Sequence, residues 1–329
     1  MISNNNSAII QLEASSGIGD RLLDFLGFHI ICQCLGYKSH VILNGGRMHA
    51  AWGITNYDTR LFDLIEDETL AWVKNSDNCP FYVYSPNPSS SLCPYKVYEF
   101  VQSVAPGLKS FEEIGALYIF FAKSIIRPSA IIKSGIPDNI QQAYGIHLRK
   151  TDKVHYESNG HQSLMSEFEI IMQKLWEDVE RIIREECEPF FFVCSEDVSW
   201  KNEFTNRILE YAQTNEKHSH IMVTSPICNA EEYENYTSVL DMFCLSQCKM
   251  ILQGVKHSSF SMVASIIGPG KLTNYCKYLN CENRFNTNAY FWNSVVEINN
   301  KTILDVEIHR NFVNCQHLQT NISHISLQV

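Results

Sequence analysis

Residues 143–149 read AYGIHLR, and from that short apolar run to residue 267 the chain alternates brief apolar stretches with longer amphipathic ones. The spacing predicts strand 143–149, helix 164–187, strand 190–194, helix 198–213, strand 220–224, helix 232–247, strand 249–253 and helix 259–267. In the longest helix, Leu164, Phe168, Ile171, Leu175, Val179 and Ile182 share one face, with Glu169, Glu177, Glu180 and Arg184 elsewhere. That is the pattern of a helix covering a sheet. Repeated strand–helix units of this kind predict an α/β fold with a parallel sheet.

Working toward the N-terminus, residues 128–142 carry Pro128, Gly135 and Pro137 and read as a linker. Before it, Phe111, Ile114, Tyr118, Phe121 and Ile125 recur at helical steps up to Arg127-Pro128, where proline stops the helix. At the start of the chain, the run Ser7–Leu12, the turn Ser15-Ser16-Gly17-Ile18-Gly19, the helical spacing of Leu22, Leu23, Leu26, Ile30 and Leu35, and the run His40–Leu43 predict a second βαβ unit. Phe81–Tyr84 reads as a further strand. The expected division is an N-terminal domain over residues 1–140 and a second over 141–329, with a polar, Asn-rich tail from Val295 that can return to the first.

Composition narrows the function. The chain has 329 residues, 45% apolar and 19% charged, as a folded two-domain protein should. Its net charge of −10 disfavours a general attraction to nucleic acid or anionic lipid, so any phosphate must be held locally. The most apolar stretch, Gly115–Ile126, is interrupted by Lys123 and is shorter than the roughly 20 residues of a membrane-spanning helix. Twelve cysteines are scattered with no CxxC pair, and no secretory leader opens the sequence. Reduced thiols in a cytoplasmic protein are therefore expected, and the N-x-S/T sequons at Asn5, Asn235, Asn300 and Asn321 read as chance. No His/Cys/Asp cluster has metal-ligand spacing, and neither Ser195 nor Cys194 carries a local nucleophile signature.

The chemistry concentrates at Gly145–Val154, GIHLRKTDKV, where a strand ends in His147, Arg149, Lys150, Asp152 and Lys153. In an open parallel sheet the carboxyl ends of strands face the ligand crevice, so cations there suit a diphosphate. An arginine fork can grip phosphate oxygens and stabilise a leaving diphosphate without a metal. The alternative is a solvated charged turn. This segment resembles the His-x-Arg-Arg-x-Asp motif of the fucosyltransferase superfamily, particularly the core α-1,6-fucosyltransferases and their nodulation relatives, and more distantly the protein O- and α-1,2-fucosyltransferases. The resemblance implies that Arg149 holds the β-phosphate of GDP-fucose and His147 lies at the nucleotide. Lys150 departs from the motif, keeping the charge of the second arginine without its planar fork.

Three further stretches follow the family's order. Phe192–Asp197 resembles its strand ending in an acidic turn, which carries Ser195 and Asp197. Val239–Gln247 resembles the helix whose aspartate, here Asp241, reads the guanine edge. Ser258-Ser259-Phe260-Ser261-Met262-Val263-Ala264 resembles the serine-rich loop that opens a helix and whose hydroxyls and amides meet the diphosphate, a role helix N-terminal amides suit on general grounds. Locally, Ser258 or Ser259 reads equally well as an N-cap, and Asp241 as an ordinary helix acid. Gly17-Ile18-Gly19-Asp20-Arg21 is similar to the glycine loop that starts the family's acceptor-side domain, although a tight strand-to-helix turn explains it too.

The resemblance as a whole implies the GT-B architecture, two Rossmann-like domains with parallel sheets facing a central cleft. It also implies an inverting glycosyltransferase needing no metal or other cofactor, whose partners are a nucleotide sugar and a glycan acceptor. Inversion requires a base for the acceptor hydroxyl. Glu157, ten residues after His147, stands at the interval of the family's proposed base, and Asp152 is the alternative. Another GDP- or UDP-sugar as donor, or a binding protein that has lost catalysis, are the competing readings.

Overall fold

A computed structural model describes residues 7–12, 17–35, 37–42, 70–72, 82–85, 97–98, 101–102, 111–149, 162–222, 236–256, 258–273 and 275–278. The chain divides into two compact units, the first holding the elements up to Ile132 and the second beginning at Lys133.

The first unit contains strand β1 (Ser7–Leu12), helix α1 (Ile18–Leu35) and strands β2 (Lys38–Ile42), β3 (Leu70–Trp72) and β4 (Tyr82–Ser85). The strands form one sheet in the order β3-β2-β1-β4, parallel throughout. The predicted βαβ unit is present, and β3 is an addition that three residues of sequence could not signal. Helix α1 is buried on every side. Leu22, Phe25, Leu26 and Ile30 are enclosed, but so are Arg21, Asp24, His29 and Gln33. A helix with no wet face needs its polar groups served internally. His29 illustrates this, with Nδ1 2.6 Å from Ser39 Oγ on β2. Its ring also meets Phe121 edge-on at 4.6 Å. Phe121 belongs to helix α2 (Phe111–Ile125), which ends before Pro128 as proline chemistry requires.

Residues 128–142 are more than a linker. Helix α3 (Ala130–Gly135) and a single 3-10 turn at Ile140–Gln142 occupy them, with Ile132 and Ile140 buried as anchors. Ile132, Ile136 and Ile140 recur every four residues, but Gly135 and Pro137 interrupt them and led to the linker reading.

The second unit alternates as expected: β5 (Tyr144–Leu148), α4 (Gln162–Glu185), β6 (Phe190–Ser195), α5 (Val198–Thr214), β7 (His220–Met222), α6 (Tyr236–Gln247), β8 (Met250–Gly254), α7 (Ser259–Ile267) and β9 (Lys271–Thr273). All five strands are parallel, in the order β7-β6-β5-β8-β9. The chain thus winds outward from β5 in both directions. The gap between β5 and β8 is a topological switch point, where an open sheet leaves a crevice at its carboxyl edge.

Alternation along the strands sorts residues between the two faces. Ile146 and Leu148 of β5, Phe191 and Val193 of β6 and Leu252 of β8 share a core with Ile171, Leu175 and Val179 of α4 and Phe204 and Ile208 of α5. On the opposite face Gly145 lies under α6. A Cβ there would come within 2.7 Å of Leu245 Cδ2 and 3.0 Å of Cys248 Sγ, so the glycine sets the close approach of helix and strand. His147, two residues further on, stands on that same face at the carboxyl end. Of the stripe predicted for α4, Ile171, Leu175, Val179 and Ile182 are buried, Phe168 is half-buried, and the Leu164 side chain lies outside the described residues.

Candidate functional site

The carboxyl ends of β5 and β8 converge on a small set of side chains. In register, His147 lies between Cys194 on β6 and Gln253 on β8, and Leu148 between Ser195 and Gly254. Gly254 is closely packed there, since a Cβ would sit 2.9 Å from Leu175 Cδ2, 3.0 Å from Leu148 Cδ2 and 3.1 Å from the His147 carbonyl oxygen. Arg149 follows the end of β5 and is half-buried.

From β8 the chain turns into α7, whose first residues reach back to β5. Ser258 is the N-cap, its Oγ accepting from the Ser261 amide at 3.4 Å. The cap reading of Ser258 therefore holds, yet the same oxygen also stands 3.4 Å from His147 Nδ1. Ser261, one turn into the helix, places its own Oγ 2.6 Å from Nδ1. The Phe260 ring packs over the imidazole at 4.9 Å between centroids, tilted 34°. Ser259 is half-buried in the first turn. Enclosure, with the Arg149 charge added, drives the His147 pKa down to about 3, so the imidazole is neutral at any physiological pH.

Asp241 is buried on α6. It sits one turn before Leu245, which covers Gly145, and α6 leads directly into the amino end of β8. One helical turn, about 5.4 Å, and the two-residue step from Gly145 to His147, roughly 6.6 Å, bring Asp241 to the level of His147. Its charge also reaches Cys194, the β6 neighbour of His147. Burial first, then that charge, pushes the Cys194 thiol well up, and Cys244 is pushed up in the same way. Protonated, enclosed thiols of this kind are poor nucleophiles.

The acidic turn after β6 serves the backbone. Ser195 Oγ accepts from the Asp197 amide at 3.1 Å, and Asp197 Oδ1 caps α5 by accepting from Trp200 N at 3.0 Å. Lys150, Asp152, Lys153 and Glu157 lie outside the described residues.

In the first unit, Gly17 precedes α1 and Gly19 is already inside its first turn. The Gly17 carbonyl accepts from the Arg21 amide at 3.2 Å. A Cβ on Gly17 would meet Asp20 at an ordinary 3.9 Å, so the turn does not demand glycine there. Asp20 is half-buried, and Arg21 is fully enclosed. Burial, then the Asp20 charge, raises the Asp24 carboxyl to about 9, leaving it protonated at neutral pH.

Gln253 and Asp24 were missed in the sequence, and Ser261 was read as part of the serine-rich stretch without being singled out. Nothing local distinguishes it from a packing serine. Among the described residues no group of three or more His, Cys, Asp or Glu is placed to hold a metal ion. Nor, among them, is any helix long and apolar enough to cross a membrane.

No protein-family model matches the chain, and no curated protein is significantly similar to it in sequence. Solved structures similar to this one include fucosyltransferases. NodZ from Bradyrhizobium is 13% identical at a TM-score of 0.45, over 80% of this chain and 94% of its own. A GDP complex of FUT1 from Arabidopsis thaliana is 11% identical at 0.47, over 83% and 71%. POFUT1 in complex with GDP is 12% identical at 0.45, over 80% and 95%.

Proposed function

We propose that the chain is an inverting glycosyltransferase of GT-B type that transfers fucose from GDP-fucose to a glycan hydroxyl. The observation that carries this reading is the convergence of His147, Arg149 and the N-terminus of α7 at the switch point of the second sheet, with Asp241 buried at the same level. Helix N-terminal amides and a guanidinium are the groups that bind a diphosphate. A buried carboxylate can accept two parallel hydrogen bonds from guanine N1 and N2, where uracil offers a single N–H.

In this reading the second unit takes the donor and the first unit the acceptor. Arg149 stabilises the charge that grows on the diphosphate as the glycosidic bond breaks, which removes the need for a metal. Glu157, or failing it Asp152, takes the proton of the attacking hydroxyl. Lys150 and Lys153 add charge to the phosphate site, and Ser259 adds a hydroxyl beside it.

Calorimetric titration tests the reading. GDP should bind more tightly than UDP, and Asp241→Ala should narrow the gap. Turnover of GDP-fucose should survive treatment with a chelator. Equal affinity of the unmodified protein for GDP and UDP would sink the guanine assignment, and loss of turnover restored by magnesium or manganese would sink the metal-free mechanism.

A further inference from the structure

We infer that Ser261 is a positioning residue, its hydroxyl donating to Nδ1 of His147 and so presenting the opposite nitrogen as Nε2–H, a neutral hydrogen-bond donor toward a nucleoside diphosphate. The identity of the ligand rests on the donor-site reading above, whereas the serine–histidine pair stands on geometry alone.

A neutral imidazole has one N–H and one bare nitrogen, and the partner of one nitrogen decides the role of the other. Ser261 is fully buried, so its proton has to be used inside the protein. Two other buried helical serines show the usual solution. Ser246 donates to the Phe243 carbonyl and Ser265 to that of Met262, each at 2.7 Å and three residues back. Ser261 makes no such backbone bond among the described residues. Its hydroxyl turns instead to Nδ1 at 2.6 Å, its one side-chain hydrogen bond among the described residues.

If Nδ1 carried the proton, the serine hydrogen would be left without an acceptor in an enclosed site. Such an orphan costs more than the bond is worth. The groups around the ring agree with a neutral acceptor at Nδ1. Arg149 on its own strand opposes a positive imidazolium, the Cys194 thiol on β6 is protonated, Phe260 with Ser258 on α7 supplies no counter-charge, and Asp241 on α6, at the same level, is not among the charges that shift the ring.

The consequence is functional. A bare Nε2 would repel a phosphate oxygen, whereas Nε2–H donates to it. Because the ring stays neutral, the contact is insensitive to pH across the physiological range. A protonated histidine could not offer that constancy.

Long-range proton–nitrogen correlation on full-length protein labelled with nitrogen-15 histidine tests this, with the His147 signals identified by their loss in His147→Gln. The unmodified protein should show the Nε2–H tautomer with a hydrogen-bonded Nδ1. In Ser261→Ala the Nδ1 resonance should move toward the free-acceptor position, and in Ser261→Thr it should stay. GDP affinity should fall about tenfold in the alanine variant and recover in the threonine variant. An Nδ1–H tautomer in the unmodified protein, or an unmoved Nδ1 resonance in Ser261→Ala, overturns the pairing. Unchanged GDP affinity in Ser261→Ala, beside a moved resonance, overturns the ligand role. Failure of the unmodified protein to bind GDP overturns the donor-site reading, and the tautomer measurement still decides the pair.

Discussion

Replacing Asp24 with asparagine should change how stability depends on pH. Asp24 lies on α1 with its side chain buried, and Oδ2 has no hydrogen-bond partner among the described residues. Its pKa is raised from 3.8 to about 9 by burial and by the charge of Asp20. A group whose folded value lies above its unfolded value contributes stability that is full below the unfolded pKa and is lost as pH rises through the folded one. Here the window runs from 3.8 to about 9. Within it the unfolded chain has released a proton that the folded chain keeps, and stability falls by about 1.4 kcal/mol per pH unit. Between about pH 5 and about pH 8 that amounts to about 4 kcal/mol, a large part of an ordinary domain's stability. Asparagine has nearly the same shape and no proton to release. The free-energy difference between Asp24→Asn and the unmodified protein should therefore open by about that amount between the two pH values. Urea denaturation at both, with hydrogen exchange of the α1 amides reporting on the first unit, measures it. The gap and not either stability is the observable, so any packing cost of the amide cancels. Parallel pH profiles for the two proteins would show that Asp24 ionises in the folded state and would refute the reasoning.

Arg149→Ala should lose about a hundredfold or more in turnover, and Arg149→Lys should recover little because an ammonium lacks the planar fork. Near-full activity in the lysine variant, measured by GDP release, would rule out a bidentate contact. Glu157→Gln should lose turnover while binding GDP as the unmodified protein does, since a base touches the acceptor and not the nucleotide. Full activity in that variant moves the role to Asp152. Gly145→Ala should lower the melting temperature, because the added methyl would press on Leu245 and Cys248. The cost expected for such overpacking is about 1–3 kcal/mol, and an unchanged melting temperature would mean that α6 yields without loss.

Periodicity alone determined much of the second unit. The stripe of Ile171, Leu175, Val179 and Ile182 demanded a helix on a sheet, and the apolar runs at Tyr144–Leu148 and Phe190–Ser195 demanded buried strands. These are local signals, because burial imposes the helical or two-residue period on neighbouring residues. Position at the carboxyl end of a strand likewise marked the cluster His147, Arg149, Lys150, Asp152 and Lys153, from which the resemblance singled out His147 and Arg149. Tertiary structure alone decided which strands lie side by side, and hence that β5 and β8 open the crevice between them. Strand order depends on pairing between distant segments, which leaves no period in the chain. It also decided what each polar residue does. Asp197 caps a helix, Asp24 holds a proton, and Ser261 meets a histidine 114 residues away. A hydroxyl or a carboxylate has the same intrinsic chemistry at every position, so its role is set by the burial and the partner that folding brings to it.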